Sequence, residues 1–548
     1  MSTSPESLLG LIKAGQVSMP PAALIFRLAV ITTILGFFAR IVYNIFLHPL
    51  RVVPGPWWYA ATGLPRYRMY MSGDAHKILR DMHMAYGDVV RIGPNEVSFA
   101  AAHGWSDVFG QKRMPGTEAN GGHAYVENPK ETVFYNNVSR PGSLLYMPQA
   151  DHIMARKSLN AAFSTKAVTE QEPLIQSHID RLVGLLHAAA KKSSKKSDSK
   201  EGKDDQDSNV VDMVQYTNWL FFDIIGELGF GEPFGSLVDG AEHAWVAMIG
   251  KGVKGGVTKV NLHRLLGTTL ARLAVWLKMT REARNQLMWH HAMSDDKIRR
   301  RRVLGPGRPD FVTPMLENED FWTTKRMHAS LTTFITAGAE TSATAVSAAL
   351  YFLSTTPAPA AGGQSPLEKL QAEVRGAFSS EAEINFAGVK NLPYLGAVLD
   401  EALRMHPPTA WGFGRQARAG GTTVANGQFY LPEATVLTIS YYAMFRNKRN
   451  FALPDTFAPE RWLTGAGADK RFRNDQRDAF HPFSYGPRNC IGRYLAVADM
   501  RTVLARIVFN FDLATQPDSI RWAADQKTYA FWEKPPLMMA VTERADKA

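Results

Sequence analysis

Cysteine occurs once in the 548 residues, at Cys490, and its neighbours decide what that thiol can do. The surrounding stretch reads FHPFSYGPRNCIGRYLAVADMR, with Gly486 and Gly492 bracketing the cysteine and Arg488 two residues ahead of it. After Gly492 the apolar positions Leu495, Val497, Val503, Leu504 and Val508 recur at helical spacing. Cys490 is therefore expected in a tight loop feeding a helix N-terminus, where backbone N–H groups point at the sulfur and favour its thiolate. Glycine lets the backbone come close to a flat ligand, and Phe483 is placed to shield the sulfur from water. An electron-rich sulfur in a dry, hydrogen-bonded loop is what an iron ligand requires. The plain alternative is a buried cysteine in a glycine-rich turn. A lone cysteine excludes an intrachain disulfide and a multi-cysteine zinc site.

Other residues have chemistry in their spacing. Glu401 and Arg404 stand at i and i+3, one above the other on a helix; alone, such a pair usually lies on the surface. The segment Asp455 to Trp462 follows, with Arg461 near its end. Upstream, Phe334-Ile335-Thr336-Ala337-Gly338-Ala339-Glu340-Thr341-Ser342 falls midway along a long apolar helix. Gly and Thr there loosen the ladder, and a Thr hydroxyl can bond back to a carbonyl, so a widened turn is expected. Read by itself, that segment is only a helix with tolerated polar residues.

The pattern Phe483-x-x-Gly486-x-Arg488-x-Cys490-x-Gly492 resembles, position for position, the haem-binding loop of the cytochrome P450 family. The resemblance implies haem b as cofactor, with Cys490 on the iron and Arg488 on a haem propionate. It implies that Glu401, Arg404 and Arg461 form a buried network locking the loop region to the core, Asp455 to Trp462 being similar to the family's PERF segment. Glu340 and Thr341 resemble the family's acid–alcohol pair, implying oxygen activation with Thr341 as hydrogen-bonding alcohol and Glu340 as proton relay. His152 and Arg156 stand where fungal members carry propionate contacts, although His152 replaces the commoner aromatic. Arg415, shortly after His406-Pro407-Pro408, is a further propionate candidate, and His481 a weaker one. Phe334, Ala337, Trp411, Gly412 and Phe413 are expected to wall the substrate pocket.

The implied reaction inserts one oxygen atom of O2 into a small apolar molecule, with electrons from NADPH through a cytochrome P450 reductase or, alternatively, cytochrome b5. Basic residues on the cysteine side, such as Arg488 or Arg493, would help dock the reductase. Asn44-Ile45-Phe46-Leu47-His48-Pro49-Leu50 and the PFSYGPRNCIG wording look most like fungal microsomal members, so a terpenoid, polyketide or alkaloid intermediate is the implied substrate class. The rival readings are an isomerase or dehydratase of the same fold that does not use O2, a non-catalytic haem-binding protein, and a cysteine hydrolase, for which no specific His/Asn pairing is recognisable.

The elements that must position these groups are legible as patterns. Apolar content is 45%, and the net charge of +11 suits solubility, an anionic membrane surface or an acidic protein partner. Nucleic acid is disfavoured, since no binding motif accompanies the charge. The run Arg299 to Arg302 reads as a solvated helix end. Residues 27–47 form the most apolar stretch, long enough to cross a bilayer, with Arg27 and Arg40 near its ends. The expectation is a single-pass anchor in the endoplasmic reticulum after a tail at 1–26, with one catalytic domain at 48–548 held in the cytosol. Pro54 to Pro56 is expected to end the anchor helix. Apolar periodicity predicts helices over 169–190, 212–228, 324–353, 367–378, 392–405 and 494–509. Two strands are expected around DVVRIGPNEVSFA, and extended chain over 422–439. Residues 191–209 and 357–366 read as flexible insertions. The fold class is mainly α with minor β, a helix-rich triangular prism by resemblance.

Overall fold

The computed structural model describes residues 21–113, 125–138, 140–194, 209–278, 280–360 and 362–544. Its longer helices are α1 Pro21–Val42, α2 Gln149–Leu159, α3 Thr165–Ser194, α4 Met213–Phe230, α5 Ala244–Lys278, α6 Arg281–Val303, α7 Thr324–Thr355, α8 Pro366–Ala377, α9 Pro393–Met405 and α10 Arg493–Asn510. The six periodic segments of the sequence are α3, α4, α7, α8, α9 and α10. Their ends follow local chemistry. The Asp212 carboxylate accepts from the Val214 N–H at 3.0 Å to start α4, and Gly231 takes a left-handed φ of +73° to stop it. Ser365 and Glu368 form a reciprocal capping box at α8, with Pro366 as its first residue. The connector predicted at 357–366 thus closes on a capped helix start. Of the insertion predicted at 191–209, residues 195–208 lie outside the described residues, and the chain through Ser194 continues α3.

Helix α1 carries the apolar stretch. Residues Leu24–Leu47 have a mean hydropathy of 2.0, and the apolar window within them is fully exposed, as fits a membrane anchor. The helical run ends at His48-Pro49, several residues before the Pro54 to Pro56 stop expected from the sequence. The His48 Nδ1 accepts the Leu50 N–H at 3.1 Å there, so the turn is capped locally. Asn44 does not interrupt the span in solvent. It is buried, and its amide donates to the Ala61 carbonyl at 3.0 Å, tying the end of the anchor to the folded body.

The core is helical. Helix α4 lies along α7, and Gly338 sets how close they come: a Cβ there would meet Ile225 Cδ1 at 2.7 Å. Helix α10 packs against α3, α7 and α9, so the element that begins beside Cys490 is also a core element. The expected strands are Val89–Gly93 (β1) and Glu96–Phe99 (β2), antiparallel across the Gly93-Pro94 turn. The sheet is completed by Val436–Ile439, parallel to β2, and Arg415–Gln416. Strand lies in more than the two expected places. Phe511–Thr515, Met538–Glu543 and Val210–Asp212 make a second sheet, and Lys527–Tyr529 pairs with Phe531–Glu533 near the C-terminus.

Two buried polar groups stand out, the first a departure from the solvated helix end expected at Arg299 to Arg302. Arg299, Arg300 and Arg302 are exposed, but Arg301 is fully buried, donating to Asp310 at 2.6 and 2.9 Å and to the Gly305 carbonyl at 2.7 Å. At about 100° per residue, four consecutive arginines cannot all face solvent on a helix packed against the body. The second is His83, whose Nδ1 meets the Gly87 carbonyl at 2.9 Å and whose Nε2 meets Ser98 Oγ at 2.8 Å. A carbonyl only accepts, so Nδ1 carries the proton and the hydroxyl donates to Nε2. Burial pushes the imidazole down to about 4, so it is held neutral.

We expect Arg301→Ala to cost about 3–5 kcal/mol in denaturant titrations, since it strands the buried Asp310 carboxylate. Stability is also expected to fall as pH drops from about 6.5 towards 4. Over that range the unfolded chain binds a proton at residue 83 that the folded chain refuses. A His83→Gln variant should show a shallower dependence of Tm on pH across this window.

Candidate active site

The loop before α10 is set by backbone geometry. Gly486 has φ +76°, and a Cβ there would run into the Phe109 backbone carbonyl, so this position accepts only glycine. The Cys490 N–H donates to the Phe483 carbonyl at 2.9 Å, which folds the loop back on itself and aims the thiol inward. Gly492 follows as the N-cap of α10. The thiol opens onto an internal cavity of about 310 Å³. Phe483, Arg488, Cys490 and Gly492 line one side, while Phe334, Ala337, Gly338 and Thr341 of α7 line another.

Burial pushes the Cys490 thiol up from its ordinary value. The Gly492 N–H and the cations Arg156 and Arg493 pull the other way without overcoming it. The helix terminus therefore does not make a thiolate unaided, as the sequence suggested. A bound metal would supply the missing stabilisation, since coordination deprotonates a thiol outright.

The cavity is lopsided in charge. Lys130, His152, Arg156, Arg415 and Arg488 all line it. Arg488 donates to Glu127 at 3.0 and 2.5 Å and to the Met147 carbonyl at 2.9 Å. Arg156 grips Asn489 through its carbonyl at 2.6 Å and its side chain at 2.8 Å. Arg415 donates to the Asn128 carbonyl at 3.2 Å, but its buried Nε has no hydrogen-bond partner among the described residues. His152 is driven to about 3 by burial and by the four surrounding cations, so it is a neutral ring. Burial, then Arg488 and Arg415, push Lys130 down to about 6. Lys130 went unnoticed in the sequence; its signal is tertiary, a bridge to Arg415, 285 positions later. A group with anionic arms and an iron to take the thiolate fits these donors: an orphaned guanidinium N–H, surplus positive charge, and a loop that a Cβ would block. Haem has that chemistry.

Behind the loop, Glu401 accepts from Arg404 at 2.9 and 2.8 Å, Arg461 Nε at 3.0 Å, the Ala458 N–H at 2.9 Å and the Trp462 indole at 2.9 Å. Burial alone would push this carboxyl up, but Arg404 and Arg461 hold it below the usual carboxylate range. Arg461 also donates to Asp475 at 2.5 Å, and Arg404 to the Phe445 and Pro454 carbonyls. Trp462 and Asp475 were not assigned from sequence, because nothing in their spacing marks them.

Some expected wall residues lie elsewhere. Of Trp411, Gly412 and Phe413, only Phe413 reaches the cavity. Trp411 packs edge-on to Tyr70 at 5.3 Å in a separate core cluster, and the Gly412 N–H donates to the Ile439 carbonyl at 2.7 Å. Neighbours on extended chain point to opposite sides, so three consecutive residues cannot share one wall. His481 is likewise absent from the cavity and sits edge-on to Trp105 at 5.3 Å. Instead, Phe163, Phe221, Ile225, Phe311, Tyr441 and Phe531 supply apolar wall.

Helix α7 stays α-helical throughout, without the widened turn expected at Gly338, while Thr341 Oγ1 donates back to the Ala337 carbonyl at 2.6 Å. Glu340 does not line the cavity; it meets Lys534 Nζ at 2.6 Å.

The cytochrome P450 family model matches residues 53–541. The chain is a cytochrome P450. Similar relatives include cytochrome P450 monooxygenase traB of Penicillium crustosum, 37% identical over 91% of this chain and 93% of the relative. Cytochrome P450 monooxygenase astJ of Aspergillus oryzae is 35% identical over 92% and 94%. The trichothecene C-15 hydroxylase of Fusarium sporotrichioides is 33% identical over 92% and 95%. This P450 is a monooxygenase, an oxidoreductase whose family implies haem iron.

A Gly486→Ala P450 should fold its helices but bind little haem, read as the haem-to-protein ratio after purification. Glu401→Ala should lose haem and stability together, because two buried arginines are left without their carboxylate.

Proposed function

We propose that this P450 is a microsomal haem-thiolate monooxygenase of a bulky apolar small molecule, a fungal secondary-metabolite intermediate of the terpenoid, polyketide or alkaloid kind. The observation that carries the reading is one cavity with Cys490 on one side and Thr341 on the other, between an apolar wall and a cationic one. Haem b held by Cys490, with Arg156, Arg415, Arg488 and a hydrogen bond from neutral His152 on its anionic arms, would supply reductive activation of O2 by NADPH-derived electrons. The protein's part is positioning. Phe334, Ala337 and Phe413 orient an apolar substrate, Phe483 keeps water from the sulfur, and the Thr341 hydroxyl offers a proton donor on α7, with Glu340 one residue away as acid. The substrate class is supported by the aromatic wall and by the hydroxylase relative, whose name records a trichothecene.

Electrons are taken to arrive from NADPH–cytochrome P450 reductase, or cytochrome b5, at the cysteine side. Arg493 is exposed there and suits an acidic partner, whereas Arg488 is buried against Glu127 and is not free to dock one. A membrane of the endoplasmic reticulum suits α1. A second apolar surface supports it: Trp57 and Trp58 are exposed, as are Leu270, Leu273 and Trp276 in the second half of α5, beyond its break at Gly267. Gly63 sits against Leu265, so the chain segments that carry the two patches meet there. The isomerase or dehydratase reading has less support, because such enzymes commonly lose the acid–alcohol pair that stands here as Glu340-Thr341.

The test is the reduced, CO-bound difference spectrum, which should show the thiolate-type Soret band in this P450 and lose it in Cys490→Ser. Turnover of candidate metabolites should require NADPH and reductase together. Conversion by a hydroperoxide alone, with no NADPH dependence, would favour the isomerase or dehydratase.

A further inference from the structure

The C-terminal hairpin, Lys527–Tyr529 with Phe531–Glu533, reaches into the molecule at two points. Phe531 contributes to the cavity wall, and three residues later Lys534 is buried beside α7. The Lys534 ammonium donates to Glu340 Oε1 at 2.6 Å and Thr344 Oγ1 at 2.9 Å, with Asn218 Oδ1 of α4 at 3.4 Å. Its side chain is 4% exposed and that of Glu340 17%. A lysine with four flexible methylenes is ordered at such a site only if its surroundings fix it. The hairpin is fixed on both sides. The Trp532 indole donates to the Pro407 carbonyl at 2.7 Å and stacks on His406 at 4.2 Å, while Glu533 pairs with Lys254 of α5 at 2.7 Å. Thr344 is held in turn, donating to the Glu340 carbonyl at 2.8 Å.

We infer that Lys534 is the positioning residue for Glu340, holding the carboxylate off the cavity face of α7 that Thr341 presents and linking the acid to the hairpin that carries Phe531. The inference rests on the monooxygenase reading of Glu340 and Thr341. With the ammonium in place, the carboxylate has one strong charge-assisted partner and a fixed rotamer. Without it, the carboxylate is left buried with no cation and must find another orientation. Lys534 touches neither substrate nor cofactor; it acts through Glu340.

The experiment compares full-length wild type, Lys534→Met, Lys534→Arg, Glu340→Gln and the Met/Gln double variant, each reconstituted with NADPH–cytochrome P450 reductase in phospholipid vesicles. The probe is NADPH oxidation with hydrogen peroxide release in the absence of added substrate, measured in H2O and D2O. The C–O stretching frequency of the carbonyl complex reports the field inside the cavity independently of turnover. Lys534→Met should keep the thiolate-type Soret band, slow NADPH oxidation several-fold, change the solvent isotope effect and shift the C–O stretch. Lys534→Arg should restore all three, and the double variant should be no slower than the slower single. Wild-type behaviour in Lys534→Met beside an impaired Glu340→Gln would overturn the assignment of Lys534 alone. Wild-type behaviour in Glu340→Gln would remove the acid's role and the inference with it. Loss of the Soret band in Lys534→Met and also in Lys534→Arg would make the residue structural, and additive effects in the double variant would show that it does not act through Glu340.

Discussion

The carboxylate of Glu401 is the point on which the cysteine side of this P450 depends. It is fully buried, so its acceptor sites are filled by the protein. The filling comes from two stretches of chain: Arg404 on the same helix, then the Ala458 N–H, Arg461 and Trp462 from a segment with little regular structure. That segment would otherwise have no reason to adopt one path. Arg461 then reaches Asp475 and Arg404 reaches the Phe445 and Pro454 carbonyls, so a single charge organises much of the coil leading to Cys490. Such a network is stable when complete and very costly when one member is missing.

A second constraint works on the cavity. Its apolar part is built by α4 and α7, whose close approach needs Gly338, and by aromatic rings such as the stacked Phe163 and Phe311 at 4.5 Å. Its polar edge gathers Lys130, Arg156, Arg415 and Arg488 around Glu127, more positive charge than one carboxylate balances. Low dielectric makes that surplus expensive, and the neighbouring cations add to burial, the larger cause, in pushing Lys130 and His152 down. An anionic cofactor would offset that cost, and it is in this way that these residues would favour haem.

Polarity is divided along helix α7 itself. Thr341 faces the cavity, while Glu340, one residue earlier and about 100° around the helix, faces the C-terminal hairpin and Lys534. Adjacent residues on a helix point about 100° apart, so an acid next to an alcohol needs something to define where its side chain goes. In this chain a lysine almost two hundred positions away does so.

The sequence by itself determined the helical segments, the two first strands, the apolar anchor and the loop around Cys490. Each depends on neighbours within a few turns: periodicity, caps, or glycines at fixed offsets from one another. Arg301 is the instructive exception among local readings, since a run of four arginines looks solvated until helix phase turns one of them inward. What only tertiary structure decided was the company each side chain keeps. Trp411 belongs to a core cluster, His481 packs edge-on against Trp105, Arg488 is held by Glu127, and Lys130 joins the cationic edge. The same holds for the thiol: helix position argued for a thiolate, but burial, which sums over the whole fold, pushes Cys490 the other way. Local pattern fixes which residues lie on which element, whereas distances between elements, and the desolvation and charge fields that follow from them, exist only once the chain has packed.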